Sequence, residues 1–173
     1  AGVDLKCSRC HDSPVDRFKQ ADLFQLAALL NNGPLKVPAT SVAAIAQGTK
    51  IRTSLKAGDA IVPDKLTAHW LTEAGSTTGL KSIEPGNHRA VFAAVVTSPR
   101  NSRFSDVIVN RVWKRYFGTA LVEPVDHWNE NPERPELLQR LSGEFVTGGY
   151  DLKGLARRIL NSAAWQSARQ RER

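Results

Sequence analysis

The 173-residue sequence contains no methionine and only two cysteines, and no run of apolar residues approaches membrane-spanning length. A transmembrane helix needs roughly 20 consecutive apolar residues, so we expect no transmembrane segment. Two cysteines that lie close together do not make the spread disulfide framework of a small secreted domain. No signal peptide is recognisable at residue 1, where the sequence is polar, so we expect a mature product or an excised piece of a larger protein.

The composition is that of an ordinary soluble globular domain, with 41% apolar and 24% charged residues. The length suffices for one hydrophobic core and is short for two. The formal net charge of +7 favours an acidic partner, an anionic surface or nucleic acid, or simply keeps the protein dispersed in solution.

Hydrophobic periodicity predicts a mainly α fold with a short β-hairpin insertion. Gly33 is placed to take a left-handed conformation after the first helix, and Gly118 closes a later helix. Asp151 is expected to cap the last helix, and the arginine-rich tail after Gln166 is expected to fray. The predicted helices cover residues 16–31, 65–73, 88–97, 103–117 and 135–147, and the short strands lie within 35–63.

The stretch 76–87 is rich in Gly, Ser and Thr and predicts a linker between a segment 1–75 and a second helical domain 88–173. Helical spacing also predicts which residues of the second domain face inward. They are Phe104, Ile108, Val112 and Tyr116, then Leu137, Leu138, Leu141 and Phe145, and finally Leu152, Leu155, Ile159 and Leu160.

The segment Cys7-Ser8-Arg9-Cys10-His11 has the CxxCH pattern by which haem is attached in c-type cytochromes. Two thiols separated by two residues reach the two vinyl groups on one edge of a porphyrin. The next side chain then lies under the ring, where its imidazole binds the iron. The motif therefore predicts one covalent haem c per chain, with His11 as the proximal iron ligand.

Three other readings of the motif stay open at the level of sequence. A zinc site would need two further ligands from the scattered His69, His88 and His127. A thioredoxin-like redox pair would need a strand before the motif, and only six residues precede Cys7. A structural disulfide would leave His11 unexplained.

The second axial ligand of the iron is also open. Methionine is excluded because the chain has none, which leaves a histidine, a lysine, an open position or a ligand from another chain. Two histidine ligands would give a lower reduction potential than a histidine and a methionine. We expect Arg9 and Arg17 to bind the propionates, and Phe18 and Phe24 to line the pocket.

Several segments resemble the planctomycete-type cytochrome-like proteins, in which a domain with a CxxCHD centre precedes a helical domain of unknown function. The resemblance covers nearly the whole chain and is weakest between residues 38 and 88. It rests on the segments 7–14 (CSRCHDSP), 18–28 (FKQADLFQLAA), 109–118 (VNRVWKRYFG), 121–126 (LVEPVD), 135–138 (PELL), 150–153 (YDLK) and 158–162 (RILNS).

The resemblance implies a helical c-type haem domain, not the class I cytochrome c arrangement, within a longer secreted or periplasmic protein. Family members often carry a histidine where this chain has Arg134, and another where it has Ser13. His127 stands where the family usually has an acidic residue. We therefore hypothesise that His127 is the distal iron ligand, with His69 and His88 as alternatives.

These observations predict a bacterial c-type cytochrome, or a cytochrome subunit, that transfers electrons in the periplasm or outside the cell. We expect redox partner proteins with acidic surfaces, membership of a larger polypeptide or complex, and no nucleic-acid partner. One alternative is a haem enzyme or gas sensor with an open sixth position. Another is a structural or binding subunit of a larger extracytoplasmic assembly.

Two features of the second domain each allow two interpretations. Arg111, Lys114 and Arg115 share one helix face, which is either a solvated surface or a contact for propionates or a partner. Glu123 and Asp126 are a loop carboxylate pair that would have to lie in a substrate pocket to act as acid and base.

Overall fold

A computed structural model describes residues 5–14, 18–41, 51–63, 86–125, 128 and 133–171, with side chains up to residue 167. It divides into two compact units, an N-terminal unit within residues 4–98 and a C-terminal unit within residues 99–173. The described residues are mainly helical, which confirms the predicted mainly α class. Within them, no helix is both long and apolar enough to cross a bilayer.

In its described residues, the N-terminal unit combines two helices with one pair of short strands. The strands are antiparallel, with Leu35 opposite Ile61, so the predicted strand pair is present although its strands are far apart in sequence. The elements are a 3-10 turn Cys7–Arg9, α1 Gln20–Asn31, β1 Leu35–Lys36, a 3-10 turn Ala39–Ser41, β2 Ala60–Ile61 and α2 His88–Val96. The predicted helix 65–73 lies outside the described residues.

Helix α1 begins at Gln20, later than the predicted start at residue 16, and Phe18 and Lys19 before it are not helical. The backbone of Lys19 is extended, and its N–H donates to the Asp22 carboxylate at 2.8 Å. At the other end, Asn32 and not Gly33 takes the left-handed conformation, with φ 56°. The prediction for Gly33 was therefore wrong, and asparagine is the residue that best tolerates this conformation after glycine.

A small apolar cluster of Phe24, Ala28, Val37 and Ile61 joins α1 to the strand pair. Helix α2 packs on α1, and the N–H of His88 donates to the Asn32 side chain at 2.8 Å. The boundary of the unit therefore falls after Ser98, whereas the predicted linker 76–87 is described only at its last two residues.

The described part of the C-terminal unit contains α3 Ser102–Phe117, α4 Glu136–Thr147, α5 Leu152–Leu160 and α6 Ala163–Arg171. Helix α3 packs on both α4 and α5. Gly118 ends α3 with φ 78°, as predicted. Helix α6 continues the chain through the stretch that was expected to fray. The buried cluster is Val107, Val109, Trp128, Leu138, Phe145, Leu155 and Ile159.

Two predicted core residues are on the surface instead. Leu137 is 43% exposed and Leu152 is 54% exposed, whereas their helix neighbours Leu138 and Leu155 are buried. On α3 the predicted apolar face is only half-buried, and the most deeply buried side is partly polar. Its buried polar residues are Arg103, Ser105, Asp106 and Asn110.

The N-terminal cap of α5 provides a direct test of this fold. The Asp151 side chain accepts a hydrogen bond from the Lys153 N–H at 2.9 Å. Replacing Asp151 by Ala should lower the free energy of unfolding by about 1 kcal/mol, because an N–H of the first turn loses its acceptor. Urea unfolding would measure this loss. Asp151→Asn is the matched control, and an equal loss in both variants would contradict the capping role.

Candidate functional site

The CxxCH motif forms one tight turn at the start of the N-terminal unit. The N–H groups of Cys10 and His11 both lie 3.2 Å from the Cys7 carbonyl oxygen, to which they donate. Cys7 is exposed and Cys10 half-buried, and both thiols are free. The turn therefore brings two accessible thiols and an imidazole together within five residues.

The His11 ring has a defined hydrogen-bond partner on one side. Its Nδ1 lies 2.8 Å from the Asp12 carbonyl oxygen. A carbonyl oxygen only accepts, so Nδ1 is the donor in this contact, and in the neutral ring the lone pair is then on Nε2. A neutral imidazole with this tautomer presents Nε2 to a metal, and a hydrogen bond at the other nitrogen raises its basicity as a ligand.

Asp12, directly after the motif, is attached to two other segments of the unit. Its N–H donates to the Arg52 carbonyl at 2.8 Å. Its Oδ1 accepts from the Gln20 N–H at 2.9 Å and from the Ser54 hydroxyl at 2.6 Å. Gln20 is the first residue of α1, so the Asp12 carboxylate satisfies one of the free N–H groups there and lies favourably in the helix dipole.

Gln20 is a fully buried polar residue that extends this network. Its amide nitrogen donates to the Ser41 carbonyl at 2.5 Å, and its amide oxygen accepts from the Leu55 N–H at 3.2 Å. Sequence reasoning missed Asp12, Gln20 and Ser54. No local pattern marks Asp12, because it accepts from the first N–H of α1 across eight residues of sequence.

The remaining predicted site residues are only partly grouped around the motif. Arg9 is exposed at the end of the 3-10 turn. Phe18 and Phe24 are each 7% exposed, and Phe24 packs in the apolar cluster of the unit. Arg17, His69 and His127 lie outside the described residues.

His88 lies at the other end of α1 from the motif. Its N–H bonds to Asn32 beyond the C-terminus of α1, whereas Asp12 bonds to Gln20 at the N-terminus. A helix of 12 residues is about 18 Å long at 1.5 Å per residue. The described contacts of His88 and those of the motif therefore lie at opposite ends of α1.

Covalent haem attachment sets requirements on the donor atoms of the motif. Attachment needs two reachable thiols and an imidazole with a free Nε2, and Cys7, Cys10 and His11 have these properties. A multi-ligand protein site for a metal such as zinc would need further donors. Among the described residues, no three His, Cys, Asp or Glu side chains form such a group. Cys7, Cys10 and His11 therefore have the donor types that covalent haem attachment requires, and His69 and His127 lie outside the residues in which further metal ligands were sought.

In the C-terminal unit, Asn110 has a structural role. It is fully buried, its amide nitrogen donates to the Val122 carbonyl at 2.8 Å, and its oxygen accepts from the N–H groups of Leu121 and Val122. A single side chain thus holds the loop after α3. Trp113, its neighbour on the helix, stacks on Phe117 with ring centroids 4.1 Å apart.

A buried ion pair also stabilises this unit. Asp106 is 1% exposed, and its Oδ2 lies 2.6 Å from Arg134 Nε, while Arg134 Nη2 donates to Oδ1 at 3.1 Å. Arg103 donates to the Trp128 carbonyl at 2.9 Å. Arg134 therefore pairs with Asp106, at the position where the planctomycete-type proteins that the sequence resembles often carry a histidine.

Glu123, in the loop after α3, has neighbours that favour its ionised form. Glu123 pairs with Lys114 at 2.9 Å, and its pKa is lowered by the Lys114 hydrogen bond and by the Ala120 N–H. A general acid needs a raised pKa, so Glu123 is poorly suited to that role. Asp126 lies outside the described residues.

Comparison with known families covers the second half of the chain. Residues 88–173 match the family model PSD1, described as a protein of unknown function (DUF1553). This match fits a planctomycete-type family, in agreement with the resemblance of that half. No significant match is found among curated proteins or among solved structures.

The lowered pKa of Glu123 predicts how Glu123→Gln responds to pH. The folded-state pKa lies below the ordinary value of 4.5, so ionised Glu123 stabilises the folded state above pH 4.5 and this contribution disappears as pH falls through the folded-state pKa. The wild type should therefore unfold at a slightly higher temperature than the variant at neutral pH. The difference should vanish in acid, and a constant difference would contradict the pairing.

Proposed function

We propose that this chain is a c-type cytochrome, or a cytochrome subunit, that carries one haem on Cys7 and Cys10 with His11 as the proximal iron ligand. The observation that carries the proposal is the His11 ring, whose Nδ1 is hydrogen-bonded to the Asp12 carbonyl so that Nε2 is left for iron. The exposed Cys7 and half-buried Cys10 in the same turn complete the donor set.

The chemistry of attachment needs no external oxidant. Each thiol adds across one vinyl group, so that the sulfur bonds to one carbon and the hydrogen ends on the other. The haem, when bound, supplies a one-electron redox couple. The role of the chain is to hold it: Cys7 and Cys10 anchor the ring edge, His11 orients it, and Arg9 lies next to the motif as a partner for a propionate.

The charge distribution around the motif supports an acidic redox partner. Three described carboxylates of the N-terminal unit accept hydrogen bonds from backbone N–H groups: Asp12 from Gln20, Asp22 from Lys19 and Asp59 from Lys56. The bases Arg9, Lys19, Arg52 and Lys56 are exposed. Bases outnumber carboxylates among these residues, and an excess of positive charge attracts anionic partners.

The proposal includes a location and a setting. Thioether attachment of haem takes place outside the cytoplasm, so we place the protein in the bacterial periplasm or outside the cell, as part of a larger polypeptide or complex. The strand pair Leu35–Lys36 with Ala60–Ile61, inserted after α1, supports a haem domain that differs from the class I cytochrome c arrangement.

Mass spectrometry of the intact chain, produced in a periplasm with haem-attachment machinery, tests the proposal. We expect a mass increase of one haem that survives denaturation, and its loss in the Cys7→Ala Cys10→Ala double variant. Ser8→Ala is the matched control, because Ser8 lies between the cysteines and its buried hydroxyl has no partner among the described residues. A colourless wild-type chain, with thiols free or joined to each other, would overturn the proposal.

The distal ligand is tested on the haem-loaded chain by replacing His127 with Ala. If His127 binds iron, the wild type has a low-spin spectrum that carbon monoxide changes slowly or not at all, because the sixth position is filled. The variant should become high-spin and bind carbon monoxide readily. His88→Ala is the matched control and should leave the spectrum unchanged, since His88 lies at the far end of α1. An unaltered spectrum in His127→Ala would remove that ligand assignment.

A further inference from the structure

We propose that Asp12 is a positioning residue, whose carboxylate holds the peptide group that orients the His11 ring. This inference rests on the proposed function for its purpose, since a ring prepared for iron matters only if iron binds. The effect of Asp12 on the His11 ring is a property of the chain alone, and it can be measured without haem.

The peptide group between Asp12 and Ser13 is held at both of its polar ends. Its carbonyl oxygen lies 2.8 Å from His11 Nδ1. Its N–H, which belongs to Ser13, donates to the Phe18 carbonyl at 2.8 Å. Phe18 is itself buried, so the plane of this peptide is set by the folded unit and not by the motif alone.

The side chain of Asp12 determines where that peptide lies. Its Oδ1 accepts from the Gln20 N–H and from the Ser54 hydroxyl, at 2.9 and 2.6 Å. The Ser54 hydroxyl oxygen in turn lies 3.3 Å from the Ala21 N–H, so the carboxylate and the hydroxyl together receive the first two N–H groups of α1. Removing the carboxylate would break the side-chain contacts of Asp12 with the Gln20 N–H and the Ser54 hydroxyl.

The Asp12 main chain is bound to the same neighbouring segment. Its N–H donates to the Arg52 carbonyl, two residues before Ser54. Asp12 is therefore fixed between the 51–55 segment and α1, and its carbonyl direction follows from those contacts. Gln20 supports them from the buried side through Ser41 and Leu55.

The consequence for His11 is a choice of tautomer. A neutral imidazole in water favours the proton on Nε2, the nitrogen that must be unprotonated to bind iron. A fixed carbonyl at Nδ1 reverses that preference, because only the Nδ1–H form can donate to it. The same hydrogen bond makes the imidazole a more basic ligand, which favours oxidised iron and lowers the reduction potential.

The first experiment uses the haem-free chain. The nitrogen-15 NMR shifts of the His11 ring, recorded at alkaline pH where imidazole is neutral, report the tautomer. We expect mainly Nδ1–H in the wild type and a shift towards Nε2–H in Asp12→Ala. Asp12→Asn keeps an oxygen acceptor for Gln20 and Ser54 and should behave as the wild type. An unchanged tautomer in a folded Asp12→Ala chain would overturn the proposal.

If Asp12→Ala does not fold, a milder variant tests the same effect on the His11 tautomer. Ser54→Ala removes one of the two partners of the carboxylate and leaves the contact with Gln20. It should move the tautomer ratio in the same direction by a smaller amount. Ser54→Thr keeps the hydroxyl and is the matched control. No shift in Ser54→Ala, or an equal shift in Ser54→Thr, would count against the positioning role.

The second experiment uses the haem-loaded chain and separates geometry from charge. The reduction potential should rise in Asp12→Ala by more than in Asp12→Asn, because both variants lose the charge and only the first loses the acceptor. Equal rises would show a purely electrostatic effect and overturn the positioning role. Failure of haem attachment in the wild type would instead remove the proposed function and leave the tautomer result standing.

Discussion

The hydrogen bond from the Gln20 N–H to the Asp12 carboxylate is the contact on which the N-terminal unit depends most. It fixes the first residue of α1 against the residue that follows the CxxCH motif. Helix α1 also packs on the strand pair through Phe24 and Ala28 of the apolar cluster. Directional polar contacts add a defined position for the first residue of α1, through the fully buried Gln20, the half-buried Asp12 and the exposed Ser54.

The C-terminal unit is organised in a related way around α3. Asn110 and Asp106 are buried on this helix, and each bonds to a segment outside the four helices: Asn110 to the loop at 121–122 and Asp106 to Arg134. Losing either side chain would leave its partners without a bond, which costs more than the contact contributes when formed. Polar residues at the centre of a helix thus position loops that have little apolar surface.

Most helix positions could be predicted from the sequence, and the reasons for the failures are physical. The helices at 88–96, 102–117, 136–147 and 152–160 carry local signals, such as Gly118 at one end and the Asp151 cap at another. The start of α1 could not be predicted in that way because its cap comes from Asp12, eight residues earlier. Helix α6 was missed because Trp165 packs on the rings of Tyr116 and Phe117, which a local pattern does not show.

In the candidate site too, some features depend on neighbouring residues in the sequence and others on residues far away in it. The CxxCH residues are contiguous, so their donor set was readable from five letters, whereas the tautomer of His11 depends on Phe18, Gln20 and Ser54. Burial patterns failed similarly at Leu137 and Leu152, because apolar spacing marks a helix face without saying how far the neighbouring helix covers it. Under the proposed function a covalent tether suits this arrangement, because two thioethers would hold the cofactor and the hydrogen bonds around Asp12 would only have to orient the imidazole.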